Sequence, residues 1–150
     1  MVKRPAHKLT PDALRSELQA CGISPTAQRL AISQQVLGAT DHPTAQEIYE
    51  RVQDALPMVS QATVYNTLNL LVTSGLTREV RDGPQGTVRY DGNTTPHHHL
   101  VDVESGKIVD IDFDDIHIAN LDALKKKYKV DRVTVTIEGR QRSPKHKPAG

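Results

Sequence analysis

Ser60-Gln61-Ala62-Thr63-Val64-Tyr65-Asn66-Thr67-Leu68-Asn69-Leu70-Leu71 is the stretch that decides the fold. Ser60 is a helix-capping residue, Val64, Leu68 and Leu71 recur at helical spacing, and Gly75 stands just past the expected end. The opposite face carries Gln61, Thr63, Tyr65, Asn66 and Asn69, side chains able to hydrogen-bond base edges or phosphates. The period then changes to that of strands. Residues 76–81 and 87–91 are short strand-like runs, joined by Asp82-Gly83-Pro84-Gln85-Gly86 as an expected exposed hairpin tip.

Upstream, the helices are clearly punctuated. Thr44-Ala45-Gln46-Glu47 is a capping box, opening a helix with Ile48, Val52 and Leu56 on its buried stripe and Pro57 at its end. Ser24-Pro25 predicts another start, with Leu30, Val36 and Leu37 leading to Gly38. Thr10-Pro11 predicts the first, in which Leu14, Leu18 and Cys21 share one face up to Gly22. On that face Cys21 is expected to be a buried, inert thiol. Two short helices, a tight turn and a hairpin make a winged helix-turn-helix, with the helix after Ser60 as its DNA-recognition helix. Arg78, Arg81 and Arg89 in the wing are then expected to add contacts to the DNA backbone.

The second half is expected to be α+β. Two strands flank Glu104-Ser105-Gly106, a helix runs from Asp114-Asp115 to about Tyr128 with Ile116, Leu121 and Leu124 inward, and residues 133–138 alternate as a strand with Val133, Val135 and Ile137 on one face. So thin a domain needs a two-fold partner to cover its sheet. Asp91 just ahead of it, with the run His97-His98-His99 and Asp110 within it, groups imidazoles and carboxylates suited to a divalent metal. On a strand His97 and His99 share one face and His98 takes the other.

Composition excludes several classes. The chain has 150 residues, no Trp, one Phe and one Cys. A lone cysteine forms no internal disulfide and no zinc ribbon. No apolar run follows the basic start, and none approaches the roughly 20 residues of a membrane span. A soluble, cytoplasmic protein is expected. Net charge is +1, but it is unevenly placed: Lys3, Arg4, Lys8, Arg15 and Arg29 face only Asp12 and Glu17 at the start, acids dominate from His97 to Asp122, and bases return from Lys125 onward. A basic arm, an acidic middle and a basic tail suit a protein that meets both phosphates and cations.

In order and at family spacing, Ser24-Pro25-Thr26-Ala27-Gln28-Arg29, His42-Pro43-Thr44-Ala45, Ala62-Thr63-Val64-Tyr65-Asn66-Thr67-Leu68, Arg89-Tyr90-Asp91 and Gly106-Lys107-Ile108-Val109-Asp110 resemble the ferric uptake regulator family. The resemblance implies a homodimeric transcription regulator, with a winged-helix DNA-binding domain over residues 1–91, a hinge at 92–96, and a dimerisation and metal-sensing domain over 97–150. It implies one regulatory divalent metal per subunit, iron(II) or manganese(II), with zinc able to substitute in vitro, held by His42, Asp91, His97, His99 and Asp110. The expected DNA partner is an A/T-rich inverted repeat. Tyr65 is the firmest contact, because the family sets an aromatic against a thymine methyl there. Asn66 and Arg29 follow it, with Thr63 and Gln61 on the same helix, and Lys8 or Arg15 reaching phosphate or the minor groove.

Departures from the family are equally specific. Asp102 and Ser105 occupy the positions of the first structural-zinc cysteine pair, so no structural zinc site is expected. His98 and His117 lie near an additional metal site, whose other ligands are replaced by Pro96 and Val133. Aspartate at both 91 and 110 resembles the peroxide-responsive branch, in which peroxide oxidises a ligand histidine, here the counterparts His42 or His97. The histidine run and residues 59–69 also resemble the iron-response regulators, whose haem-binding Cys-Pro is absent because Gly22 follows Cys21. A small metal-dependent hydrolase and a metal-independent DNA-binding module are the rival classes, although no general-base motif supports an enzyme.

Overall fold

Thr10 opens helix α1 (Pro11–Ala20) by accepting a hydrogen bond from the Ala13 N–H at 3.2 Å, and Pro11 fills a helix-start position where no N–H is needed. The computed structural model describes residues 9–37, 39, 41–81, 86–140 and 142. They fall into two units, Met1–Thr95 and Pro96–Gly150. Lys8, Gly38, residues 82–85 of the expected hairpin tip, and most of the basic tail lie outside the described residues.

In the first unit α2 (Ala27–Leu37), α3 (Ala45–Ala55) and α4 (Gln61–Thr73) follow. The capping hydroxyl of α2 belongs to Thr26, which accepts from the Arg29 N–H, rather than to Ser24. The Thr44–Glu47 capping box of α3 is complete in both directions, and Ser60 caps α4 through the Thr63 N–H. Leu14 and Leu18 of α1, Ile32 and Val36 of α2, Ile48 and Val52 of α3, and Val64, Leu68 and Leu71 of α4 form one buried cluster. Each such side chain contributes about 1.5–3 kcal/mol when fully buried. Cys21 is exposed, contrary to the sequence expectation. The helix ends at Ala20, so the seven-residue periodicity from Leu14 no longer governs where Cys21 points.

Strands β1 (Arg78–Arg81) and β2 (Val88–Asp91) pair antiparallel, from Arg78 opposite Asp91 to Arg81 opposite Val88. β2 also takes up the segment before α3. Thr44 bridges Arg89, and the Tyr90 N–H donates to the Pro43 carbonyl at 2.9 Å. Gly92 then passes so close to α2 that a Cβ there would lie 2.4 Å from the Val36 carbonyl oxygen.

The second unit holds a three-stranded sheet in the order β4-β3-β5: β3 (His97–Asp102) pairs antiparallel with β4 (Ile108–Asp112) and parallel with β5 (Thr136–Gly139). The turn between β3 and β4 is closed by the Asp102 carboxylate, which accepts from the Glu104 and Ser105 N–H groups, and by the Ser105 hydroxyl, which accepts from the Lys107 N–H. The expected helix from residue 114 to 128 is not continuous. A 3₁₀ turn (Phe113–Asp115) is followed by irregular chain, and α5 spans only Leu121–Lys127. Asn120 sits at φ +65°, in the left-handed region that a helix cannot pass through. Leu124 is consequently 48% exposed rather than inward. β5 starts at Thr136, later than the alternation from Val133 predicts, and Ile137 is exposed. Among the described residues only Val101 and Ile108 are buried apolar side chains in this unit.

Candidate metal centre

Antiparallel register builds the first donor group. Thr44 opposite Arg89 and Pro43 bonded to Tyr90 carry the alignment on to His42 opposite Asp91, where facing side chains share one side. His42 Nε2 lies 3.4 Å from Asp91 Oδ2, and both residues are buried. The backbone fixes Asp91 further: its carbonyl accepts from the Thr77 hydroxyl, and its Oδ1 accepts from the Asn93 N–H. The second carboxylate oxygen is thus the one turned to the imidazole. A buried carboxylate beside a buried imidazole could hold a cation, because burying the anion is costly unless positive charge meets it.

Strand alternation builds the second group. His97 and His99 project from one face of β3, with ring centroids 4.6 Å apart in an edge-on arrangement. Asp110 on β4 is the direct cross-strand partner of His99. Its Oδ1 lies 3.6 Å from His99 Nε2 and 3.4 Å from His97 Nε2. The three offer ligating atoms within 4.8 Å of one another. Two imidazoles and one carboxylate, with no thiolate, suit a borderline or hard divalent ion such as iron(II), manganese(II) or zinc. Asp112, opposite His97 on the same sheet face, is exposed.

His98 points to the other face. Fully buried and stacked on Phe113 at 4.9 Å, it lines a cleft with Ile116, His117, Leu121 and Asp122. His98 and His117 thus share a cleft, whose lining residues do not include Pro96 or Val133.

The DNA-side candidates are placed unequally. Gln61, Tyr65 and Asn66 are exposed on α4, and Tyr65 is 50% exposed, a large aromatic displayed to solvent. Thr63 is half-buried with its hydroxyl 2.9 Å from the Ser60 hydroxyl, so it supports the cap of α4 more than an outward contact. Arg15 is exposed on α1. Arg29 is half-buried, and its guanidinium donates to the Ser24 carbonyl. Arg89 does not face outward as its wing position suggests: its guanidinium donates to the His42 carbonyl at 3.1 Å and lies 3.9 Å from Glu47. Sequence reasoning missed that role because the signal is a non-local strand bridge, which no local pattern announces.

Residues 20–138 match the model of the ferric uptake regulator family. The peroxide-responsive repressor PerR of Staphylococcus aureus (strain Mu50) is 37% identical over 98 residues, 65% of this chain and 66% of that protein. The matched stretch therefore spans just under two thirds of that relative's length. The Vibrio cholerae ferric uptake regulator shares the fold at a TM-score of 0.69 and 24% identity, over 85% of this chain and 98% of that one. The Campylobacter jejuni peroxide stress regulator does so at 0.64 and 27%, over 89% and 96% respectively.

Proposed function

This chain belongs to the ferric uptake regulator family, and we propose that it is a metal-dependent, DNA-binding transcriptional repressor that responds to peroxide through iron(II), or to metal availability. One observation carries the reading. The buried His42–Asp91 pair stands at the entry to α3, in the same unit that displays Tyr65, Gln61 and Asn66 on α4. Whatever occupies that pair bears directly on a helix that packs beside the recognition helix.

Counting donors extends the argument. His42 and Asp91 provide two groups, and His97, His99 and Asp110 provide three. Two side-chain donors are too few to complete the shell of a first-row divalent ion, and three leave it open. In the proposal the two groups complete one another around a single regulatory cation. When bound, such an ion supplies the positive charge that the buried Asp91 carboxylate needs. Because its ligands come from both the DNA-reading and the dimerisation segments, occupancy sets the spacing of the recognition helices across a homodimer. Linkage then requires DNA to tighten metal binding by the same factor that metal tightens DNA binding.

The homodimer is supported by the poverty of the second unit's core and by its exposed apolar residues Val103, Leu124, Tyr128 and Ile137. The DNA partner is an A/T-rich inverted repeat, read by α4 with Tyr65 against a thymine methyl and with Asn66 and Gln61 on base edges. Arg15, Arg29 and Lys8 add contacts to phosphate or the minor groove. In the peroxide reading, oxidation of the His42 or His97 imidazole in iron-loaded protein removes a donor, and metal and DNA leave together.

The deciding experiment measures affinity for an inverted repeat selected from random DNA. It compares chelator-treated, manganese(II) and iron(II) protein, the last before and after a peroxide pulse. Tightening by metal that peroxide abolishes only in the iron form supports the peroxide sensor. Tightening that peroxide leaves intact makes the protein an iron-response or metal-uptake regulator. Binding that ignores metal altogether sinks the metal switch.

A further inference from the structure

Arg89 is a strand residue whose charged head is drawn inward, its side chain only 19% exposed. Its guanidinium donates to the main-chain carbonyl of His42, 47 residues away, at 3.1 Å. The same NH1 lies 3.9 Å from the Glu47 carboxylate, whose other oxygen accepts from the Thr44 N–H at the start of α3. The Arg89 backbone bridges Thr44, and the next residue, Tyr90, donates to the Pro43 carbonyl. Residues 42–44 are therefore strapped to β2 at three successive positions, and the strap at His42 itself is the Arg89 side chain. A partly buried guanidinium is expensive to hold unless it is paired, so a cation kept here for a single carbonyl and a neighbouring acid points to a positional task.

We propose that Arg89 is a positioning residue for the metal centre, holding the His42 backbone so that the imidazole is presented beside Asp91 before any cation arrives. The inference rests on the metal-site reading above. Preorganisation of this kind acts on affinity by removing the cost of ordering a ligand at the moment of binding. It separates His42 from His97 and His99, whose orientation comes from the β3–β4 ladder.

The test compares manganese(II) affinity by calorimetry, without DNA, in wild-type protein and in Arg89→Gln, Arg89→Met and Arg89→Lys, with urea unfolding of each metal-free variant alongside. Arg89→Met keeps the packing of the stem and removes every donor, whereas Arg89→Lys keeps one charged donor. The expected result is an affinity loss of about tenfold in Gln and Met, a partial recovery in Lys, and metal-free stabilities that do not follow the same order. Wild-type affinity in a folded Gln or Met variant overturns the proposal. So does a loss that tracks stability with no recovery in Lys, or failure of all three variants to fold, each of which makes Arg89 merely structural. Wild-type protein that binds no manganese(II) overturns this proposal and the metal-switch reading together. Metal binding without any effect on DNA damages only the latter.

Discussion

The main-chain N–H of Val135 donates to Nδ1 of His98 across 2.9 Å. With Nδ1 accepting, the neutral ring carries its proton on Nε2, which leaves no lone pair for a metal on the side facing away from Val135. The middle histidine of the run is in this way a sheet fastener between β3 and the approach to β5, and its two neighbours are the ones proposed as metal ligands.

His98→Ala is accordingly expected to destabilise the second unit by about 2–3 kcal/mol, through the orphaned Val135 N–H and the lost Phe113 stack. The manganese(II) stoichiometry of the folded protein is expected to stay unchanged. Urea unfolding with calorimetry checks both, and a lost metal equivalent at unaltered stability would reverse the assignment.

Asp91→Asn removes the anion that faces His42, whereas Asp112→Asn removes an exposed acid from the sheet face that carries His97. The first is expected to weaken manganese(II) binding by at least about tenfold, and the second to leave it as it is. Equal effects would indicate a diffuse acidic field in place of a ligand.

Tyr65→Ala takes away an exposed aromatic that packs into no core. Specific DNA affinity is expected to fall about tenfold or more, while the melting temperature and the metal affinity without DNA hold. Fluorescence anisotropy on labelled operator DNA reads the first. Parallel losses in all three quantities would make Tyr65 a folding residue.

The N–H groups of Glu104 and then Ser105 hold the Asp102 carboxyl below its ordinary range. A depressed value in the fold means that the charged form stabilises it. That contribution is complete above the ordinary carboxylate value of about 4 and disappears as pH falls through the lower folded value. Asp102→Ala should therefore melt earlier than wild type at about pH 7, and the gap should narrow as pH falls below the ordinary carboxylate value of about 4. A gap that does not narrow on acidification would mean that the turn depends on shape alone.

Gly92→Ala drives a methyl into the α2 backbone at Val36. Backbone cannot swing aside as a side chain does, so a cost of about 1–3 kcal/mol is expected, read from thermal or urea unfolding. Unchanged stability would show that the strand exit relaxes freely.

Where one residue carries its own signal, the sequence was sufficient. Thr10, Thr44 and Ser60 each cap the helix they announce, and the alternation of His97, His98 and His99 places the middle ring on the opposite face. The failures share a cause. The end of α1 at Ala20, the left-handed turn at Asn120 and the late start of β5 depend on what the chain meets in space, and periodicity extrapolates straight through all three. The inward turn of Arg89 belongs with them, since its acceptor is 47 residues away. Asp91, His97, His99 and Asp110 stand out in the sequence as a candidate donor set because their spacing on strands is short. His42 required the family resemblance, and its register opposite Asp91 rests on a bridge that only folding creates.

The parallel pairing of β3 with β5 also sets a timetable for the newborn chain. Its central strand is made early, yet one of its two neighbours is completed only with Gly139. On a ribosome the helical unit emerges first and has the chance to fold as it appears. The histidine-bearing strand must wait, with one edge bare, for the 37 residues that follow its own end at Asp102, up to and including Gly139, to be synthesised. Assembly of the histidine sheet is thus deferred until the helices of the first unit are already out.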